Sequence, residues 1–209
     1  MDPNLKLNLA EDRGEKELEQ ENITNYQVVV GSLLDAAIAI GPDISFLVAA
    51  LSRYNSRPFT CHMTAGKRVL QYLKSTADFR QHFTGNGIDI DNSLIGYSES
   101  NCANDSADRK SRGGHVFLAS NGAISWQSRK QSLITMSTLE AELIACSETS
   151  REAKWLLQLQ KDIHGKDLPL LAINCENQCA PTLITKGIIE VRTERSDVCY
   201  HNSRDLQRR

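Results

Sequence analysis

Glu99 in LIGYSES, Glu142 in STLEAELIA and Glu176 in AINCENQ are the residues of this chain best suited to chemistry. Two of them close segments that read as strands, and the third falls in the second turn of a segment that reads as a helix. Carboxylates are natural ligands for hard divalent cations, Mg2+ foremost and Mn2+ as an alternative. Three of them converging could hold ions that activate a water and stabilise the leaving oxygen of a phosphodiester. Glu99, Glu142 and Glu176 are therefore both the candidate catalytic residues and the candidate metal ligands. Their spacing alone is equally that of three solvated acids at element ends.

Three further sets have suitable chemistry. Arg109, Lys110, Arg112, Arg129 and Lys130 flank the first strands and could form a nucleic-acid-binding face, positioning phosphates without reading sequence. A plain charged surface is the simpler reading of the same residues. Lys67, Arg68 and Lys74 offer a second basic group on a helix. Cys175 and Cys179, with Cys199 and His201, contain zinc-ligand types, but their spacing does not match the usual short pairs. Ser98 and Ser137 have no His/Asp context for nucleophilic catalysis, and Trp126 reads as sheet packing.

The elements that must position these groups follow from periodicity and punctuation. Residues 1–25 are polar and acid-rich and read as a flexible lead or a linker, with a solvated surface helix as the simpler reading of EKELEQE. Residues 26–84 read as helical in three pieces. VVVGSLLDAAIAI is apolar enough to be buried, with Asp35 anomalous inside it. Pro42 suits the first turn of the next helix, whose stripe is Ile44, Leu47, Val48, Leu51 and Tyr54. Arg57-Pro58 ends it, and a third helix runs from about Thr64 to Lys74 with Ala65, Val69, Tyr72 and Leu73 inward. From residue 85 the pattern changes to strands at 94–99, 113–119 and 123–128, with Ser120-Asn121-Gly122 as a hairpin signal. A long helix follows from Ser137 or Thr138 to Ile163, with an apolar face of Leu139, Leu143, Cys146, Ala153 and Leu157. LPLLAIN then reads as a central strand, and 178–186 as a short helix. A meander, a crossover helix and a parallel strand make a mixed α/β sheet, preceded by a helical segment.

Composition narrows the function classes. The formal net charge of −2 gives no bulk basic field, so any nucleic-acid contact needs a local patch. No apolar run approaches the roughly 20 residues needed to cross a bilayer, and the opening MDPNLKLNLAEDRG lacks the pattern of a signal peptide. Six scattered cysteines fit a reducing, intracellular setting, cytoplasmic or nuclear.

Several blocks together resemble the C-terminal part of the Pol polyprotein of Ty1/copia-type LTR retrotransposons. They are VVGSLLDAAIAIGPDISFLVAALSRYNSRP, AGKRVLQYLKSTAD, LIGYSESNCANDSADRKSRGGHVFLASNGAISWQSRKQSLITMSTLEAELIACSE, and INCENQCAPTLI with VRTERSD behind it. The resemblance implies a segment connecting polymerase and nuclease over residues 26–84. Over 85–209 it implies a C-terminally truncated ribonuclease H-like domain that hydrolyses the RNA of an RNA–DNA hybrid with Mg2+. Its implied partners are that hybrid or another nucleic acid, and the rest of a Pol protein. In the family's pattern the first acid is the Asp of GYSD, where this chain has Glu99. The second is the Glu of EAE, matched by Glu142, and the third is the Asp of CDNQ, where this chain has Glu176. A fourth acid, in an ADxxTK-type segment, has no match here, and Asp197 matches a different stretch. Cys102 stands where the family has Trp, and Asp35 where it has an aromatic. The extra methylene at two sites moves a carboxylate by about 1.5 Å, against Mg2+–oxygen distances of roughly 2.0–2.1 Å. Weak or absent hydrolysis is the expectation. A noncatalytic nucleic-acid-binding or interaction protein, or a transposon relic without a role, is the alternative.

Overall fold

The computed structural model describes residues 16–83, 94–101, 109–165 and 170–175. The chain divides into two compact units, residues 1–80 and residues 81–209.

The first unit is helical. Helix α1 (Gln20–Ala39) is followed by α2 (Pro42–Leu51), a 3-10 turn (Ser52–Tyr54) and α3 (Thr60–Ser75). Helix α1 begins well inside the stretch expected to be a flexible lead, and residues ahead of it are also tied down. The Leu18 N–H donates to the Pro58 carbonyl, and the Thr60 N–H to the Lys16 carbonyl, each at 3.0 Å. For residues 16–25 the expectation of a flexible lead is therefore corrected. Tyr26, Val30, Leu33 and Ala37 form the buried stripe of α1 at helical spacing. Asp35 falls off that stripe and is exposed, so the expected cost of a buried carboxylate does not arise. The Tyr26 hydroxyl donates to the Leu51 carbonyl at 2.8 Å, and burial pushes its phenol well above the usual range.

Helix α3 starts four residues earlier than its periodicity suggested, because His62 caps it. The Phe59 N–H donates to His62 Nδ1 at 3.0 Å, as the third helical residue does in a capping box. The His62 ring is fully buried and stacks on Tyr54 with centroids 3.9 Å apart. Tyr72, expected inward, is 40% exposed, and its hydroxyl donates to Asp43 Oδ2 at 2.6 Å.

The second unit contains β1 (Leu94–Asn101), β2 (Arg112–Ala119), β3 (Gly122–Lys130), α4 (Thr138–His164) and β4 (Leu170–Cys175). The sheet order is β3-β2-β1-β4. Strand β1 is antiparallel to β2 and parallel to β4, so α4 is the crossover between two neighbouring parallel strands. Ser120 and Asn121 turn the β2–β3 hairpin with φ of 49° and 64°, the left-handed pair a two-residue hairpin turn requires. Ser137 caps α4 by accepting the Glu140 N–H at 3.1 Å, while Glu140 Oε2 accepts the Met136 N–H at 2.9 Å. Gly165, at φ 68°, ends it.

The face of α4 keeps Cys146 and Ala153 of the expected stripe but not its leucines. Ala141, Glu142, Ala145, Cys146, Thr149, Ser150, Ala153 and Leu156 are buried, whereas Leu139, Leu143 and Leu157 are only half-buried. The strands explain this. Gly96 and Gly113 stand where α4 and its neighbours approach closely, and a Cβ on Gly113 would lie 3.4 Å from the Ala145 Cβ. Small residues opposite small residues let the helix sit low, and Leu94, Phe117, Ala153 and Leu156 close the apolar core beside them.

A Cβ on Gly96 would stand 2.7 Å from Cε1 of the fully buried Phe117 ring. Gly96→Ala is expected to destabilise the second unit by about 1–3 kcal/mol. Urea unfolding followed by Trp126 and Trp155 fluorescence measures it, and an unchanged midpoint would contradict this packing.

A candidate metal centre at one end of the sheet

Successive side chains of a strand point to opposite faces. On β1, Ser98 and Ser100 point toward α4. The Ser98 hydroxyl is hydrogen-bonded to Thr149 Oγ1 at 2.9 Å. Ser100 donates to Glu142 Oε1 twice, from Oγ at 2.8 Å and from its backbone N–H at 3.2 Å. Glu142 is thereby held against the end of β1 from the second turn of α4, only 7% exposed. Its other oxygen, Oε2, is buried and has no hydrogen-bond partner among the described residues.

Glu99 lies between these two serines, so its side chain leaves β1 on the face away from α4, and it is exposed. The structure thus brings Glu142 to Ser100 and places Glu99 on the adjacent residue but the opposite face. Strand β4 pairs Cys175 with Ser98, so it ends at the same edge of the sheet as β1. Glu176 is the next residue and lies outside the described residues, as do Cys102, Cys179, Asp197, Cys199, His201 and the segment 178–186. Among the described residues no group of three or more His, Cys, Asp or Glu is placed to hold a metal ion.

The five basic residues gather at this same end. Arg112 pairs across β2–β3 with Lys130 and across β1–β2 with Asn101, two residues beyond Glu99. Arg129 pairs with Gly113, and Arg109 and Lys110 immediately precede the strand. Lys67, Arg68 and Lys74 are exposed on α3 of the first unit.

Polar groups that the sequence reading passed over support the Glu142 end. Gln131 Nε2 donates to the Ala141 carbonyl at 2.8 Å, and the Ser111 and Thr135 hydroxyls lie 2.6 Å apart, all buried. The alternation of LIGYSES was the available signal for Ser98 and Ser100. Gln131 and Thr135 sit in a stretch with no periodicity to mark them. One turn beyond Glu142, Cys146 Sγ is 3.7 Å from Cys175 Sγ. That hydrogen bond, and then burial, hold the Cys175 thiol well above the usual thiol range. His115 on β2 is buried toward α4. Desolvation lowers its pKa, opposed by the nearby Glu152 carboxylate, which accepts from Ser125 Oγ at 2.7 Å.

The donor chemistry of Glu142 fits a hard divalent cation. A buried carboxylate with one oxygen fixed by a serine and the other without a partner among the described residues is short of positive charge, which such an ion would supply.

No family model matches the chain. Over 183 residues it is 37% identical to the Retrovirus-related Pol polyprotein from transposon TNT 1-94 of Nicotiana tabacum, covering 87% of this chain and 13% of that protein. It is 33% identical over 178 residues to the Retrovirus-related Pol polyprotein from transposon RE2 of Arabidopsis thaliana, covering 85% of this chain and 12% of that one. The Secreted RxLR effector protein 161 of Plasmopara viticola is 37% identical over 131 residues, which are 63% of this chain and 90% of that protein. The chain thus spans only a small fraction of the Pol polyproteins it matches. Among solved structures, the N-terminal RNase H domain of rv2228c from Mycobacterium tuberculosis aligns with a TM-score of 0.38 at 10% identity, covering 56% of this chain and 74% of that one. RNase H1 from Halobacterium salinarum NRC-1 aligns with a TM-score of 0.36 at 11% identity, covering 55% and 76%.

Two outcomes follow from the buried groups. Glu142→Gln keeps an acceptor for Ser100 and removes the buried charge. It should raise stability in chelator by about 1 kcal/mol and abolish any stabilisation by Mg2+ or Mn2+, read as thermal midpoints with and without metal. For His115, the folded-state pKa is below the ordinary 6.5. Its contribution is complete above that value and is lost as pH falls through the lower folded value. His115→Gln should therefore flatten the acid side of the stability–pH curve measured by urea unfolding. Parallel curves for the two proteins would refute the assignment.

Proposed function

Because the chain belongs to the Ty1/copia-type family of retrotransposon Pol polyproteins, we propose that residues 81–209 are its ribonuclease H-like domain. In this reading the domain binds RNA–DNA hybrid and hydrolyses its RNA strand weakly or not at all. The observation that carries this is the Ser100-held carboxylate of Glu142, whose buried Oε2 has no partner among the described residues, at the sheet end where the basic residues collect. Arg109, Lys110, Arg112, Arg129 and Lys130 would seat the phosphate backbone. Glu142 would hold a divalent cation, with Glu176, next after β4, as a further ligand and Glu99 joining them only by turning round the end of β1 from the opposite face. The ion held there, Mg2+ or Mn2+ in its place, would supply a water of lowered pKa and neutralise charge on the phosphodiester. Ser100 keeps the Glu142 carboxylate from swinging, and β1 and β4 bring their C-terminal ends to the same edge. A hybrid substrate, the remainder of a Pol protein as partner, and an intracellular site in cytoplasm or nucleus go with this reading.

A noncatalytic nucleic-acid-binding role is the second reading. It is favoured by Glu99, which leaves β1 on the face opposite the Ser100–Glu142 pair and is one methylene longer than aspartate. A misplacement near 1 Å costs roughly a hundredfold in rate.

Incubation of a labelled RNA–DNA hybrid with the chain and Mg2+ or Mn2+ separates the two. Under the first reading, cleavage by the unmodified chain is slight. It rises about a hundredfold in the Glu99→Asp/Glu176→Asp double variant and vanishes with Glu142→Gln. Binding without cleavage in every variant would establish the second reading instead. In either case Arg112→Gln with Lys130→Gln should weaken hybrid binding and lower the slope of log affinity against log salt by about one per charge removed. An unchanged slope would remove these two from the interface.

A further inference from the structure

Cys146 and Cys175 are 29 residues apart in sequence, and the fold brings their Sγ atoms to 3.7 Å. Cys146 sits in α4, four residues after Glu142 on the same side of the helix, and is 6% exposed. Cys175 ends β4 beside Ser98 and is half-buried, the less buried of the pair. A disulfide needs the sulfurs about 2.05 Å apart, so the closure required is under about 2 Å. Neither cysteine is used in binding phosphate or metal as set out above.

We propose that Cys146 and Cys175 form a reversible disulfide, a redox-modification site that ties α4 to the end of β4. The oxidant is a low-molecular-weight disulfide. Cys175 gives up its proton and attacks one sulfur of the reagent as a thiolate, the reagent's S–S bond breaks, and one reagent thiol leaves; the hydrogen bond to Cys146 and burial, which keep that thiol protonated, make this the slow step. Cys146 then displaces the second reagent thiol from Cys175. One S–S bond is lost from the reagent and one is gained by the protein. Two electrons pass to the reagent, and the two protons given up by the cysteines end on its two thiols. The bond joins the helix that carries Glu142, one turn away, to the last residue of β4, so it fixes the spacing of α4 and the end of that strand.

The test uses the full chain and does not depend on nuclease activity. Oxidised glutathione in excess should leave the Cys146 and Cys175 peptides of the native chain together lighter by two hydrogen atoms, whatever adducts form on the other four cysteines. Proteolytic mapping should give one cross-linked peptide pair carrying Cys146 and Cys175, and dithiothreitol should reverse it. The thermal midpoint of the oxidised chain should rise by several degrees. Cys146→Ser and Cys175→Ser, near-isosteric changes checked for fold by circular dichroism, should each abolish that cross-link. In denaturant the same reagent should scatter the pairings. Glutathione adducts persisting on both cysteines, thiols that survive excess reagent, or a preferred cross-link to Cys102, Cys179 or Cys199 would each overturn the proposal.

Discussion

Helix α4 can lie against β1 and β2 only because those strands offer Gly96, Gly113 and the hydroxyls of Ser98 and Ser100 along its track. A larger side chain at either glycine meets Phe117 or Ala145, both buried. With that clearance, the backbones approach closely enough for short side chains to bond directly across the interface. Ser98 reaches Thr149, Ser100 reaches Glu142 and Ser125 reaches Glu152. The position of the acid site is therefore set by the seating of one helix and not by a loop.

Such an interface is unusual in what it buries. Its apolar part is small, centred on Leu94, Phe117, Ala153 and Leu156. Polar groups occupy much of the rest, and each is affordable only where it finds a partner. Glu142 Oε2 and Gln131 Oε1 are the exceptions near the head of α4, buried without one among the described residues. Buried orphans of this kind destabilise by roughly 1–3 kcal/mol each. Their retention at the end of the sheet where the basic residues gather is a physical argument for a ligand there, separate from any family likeness.

Much of this was legible in the sequence. The strand–strand–strand–helix–strand order, the Ser120-Asn121 hairpin and the start of α4 follow from alternation, turn chemistry and capping, and they appear within a residue or two of expectation. Three features were not legible, for one shared reason. Helix α1 runs into the polar lead, His62 advances the start of α3, and the buried face of α4 is small and polar. The first and third depend on partners distant in sequence or on the space a neighbour leaves, which a local pattern does not record, and the second is a local cap made by histidine in place of the usual Glu or Gln. Asp35 makes the same point in reverse. It looked costly inside an apolar run, yet helical spacing turns it to solvent. The candidate acids were read by type and position. The strand's two-residue period then separates Glu99 from the Ser98–Ser100 face, a consequence already contained in LIGYSES.

The arrangement of charge at the strand ends supplies the last constraint. Arg112 and Lys130 stand directly opposite one another on β2 and β3. Like charges in that position work against the pair they sit on, by up to about 1 kcal/mol. Arg109 and Lys110 add to the same end, in a chain whose net charge is −2. In a protein with a slight excess of acid, these bases collect at the end of the sheet where Glu142 is buried and Glu99 is exposed. The basic residues suit a polyanion, and Glu142 suits a cation held between that polyanion and the protein. That pairing of signs distinguishes this end of the sheet from a generally charged surface.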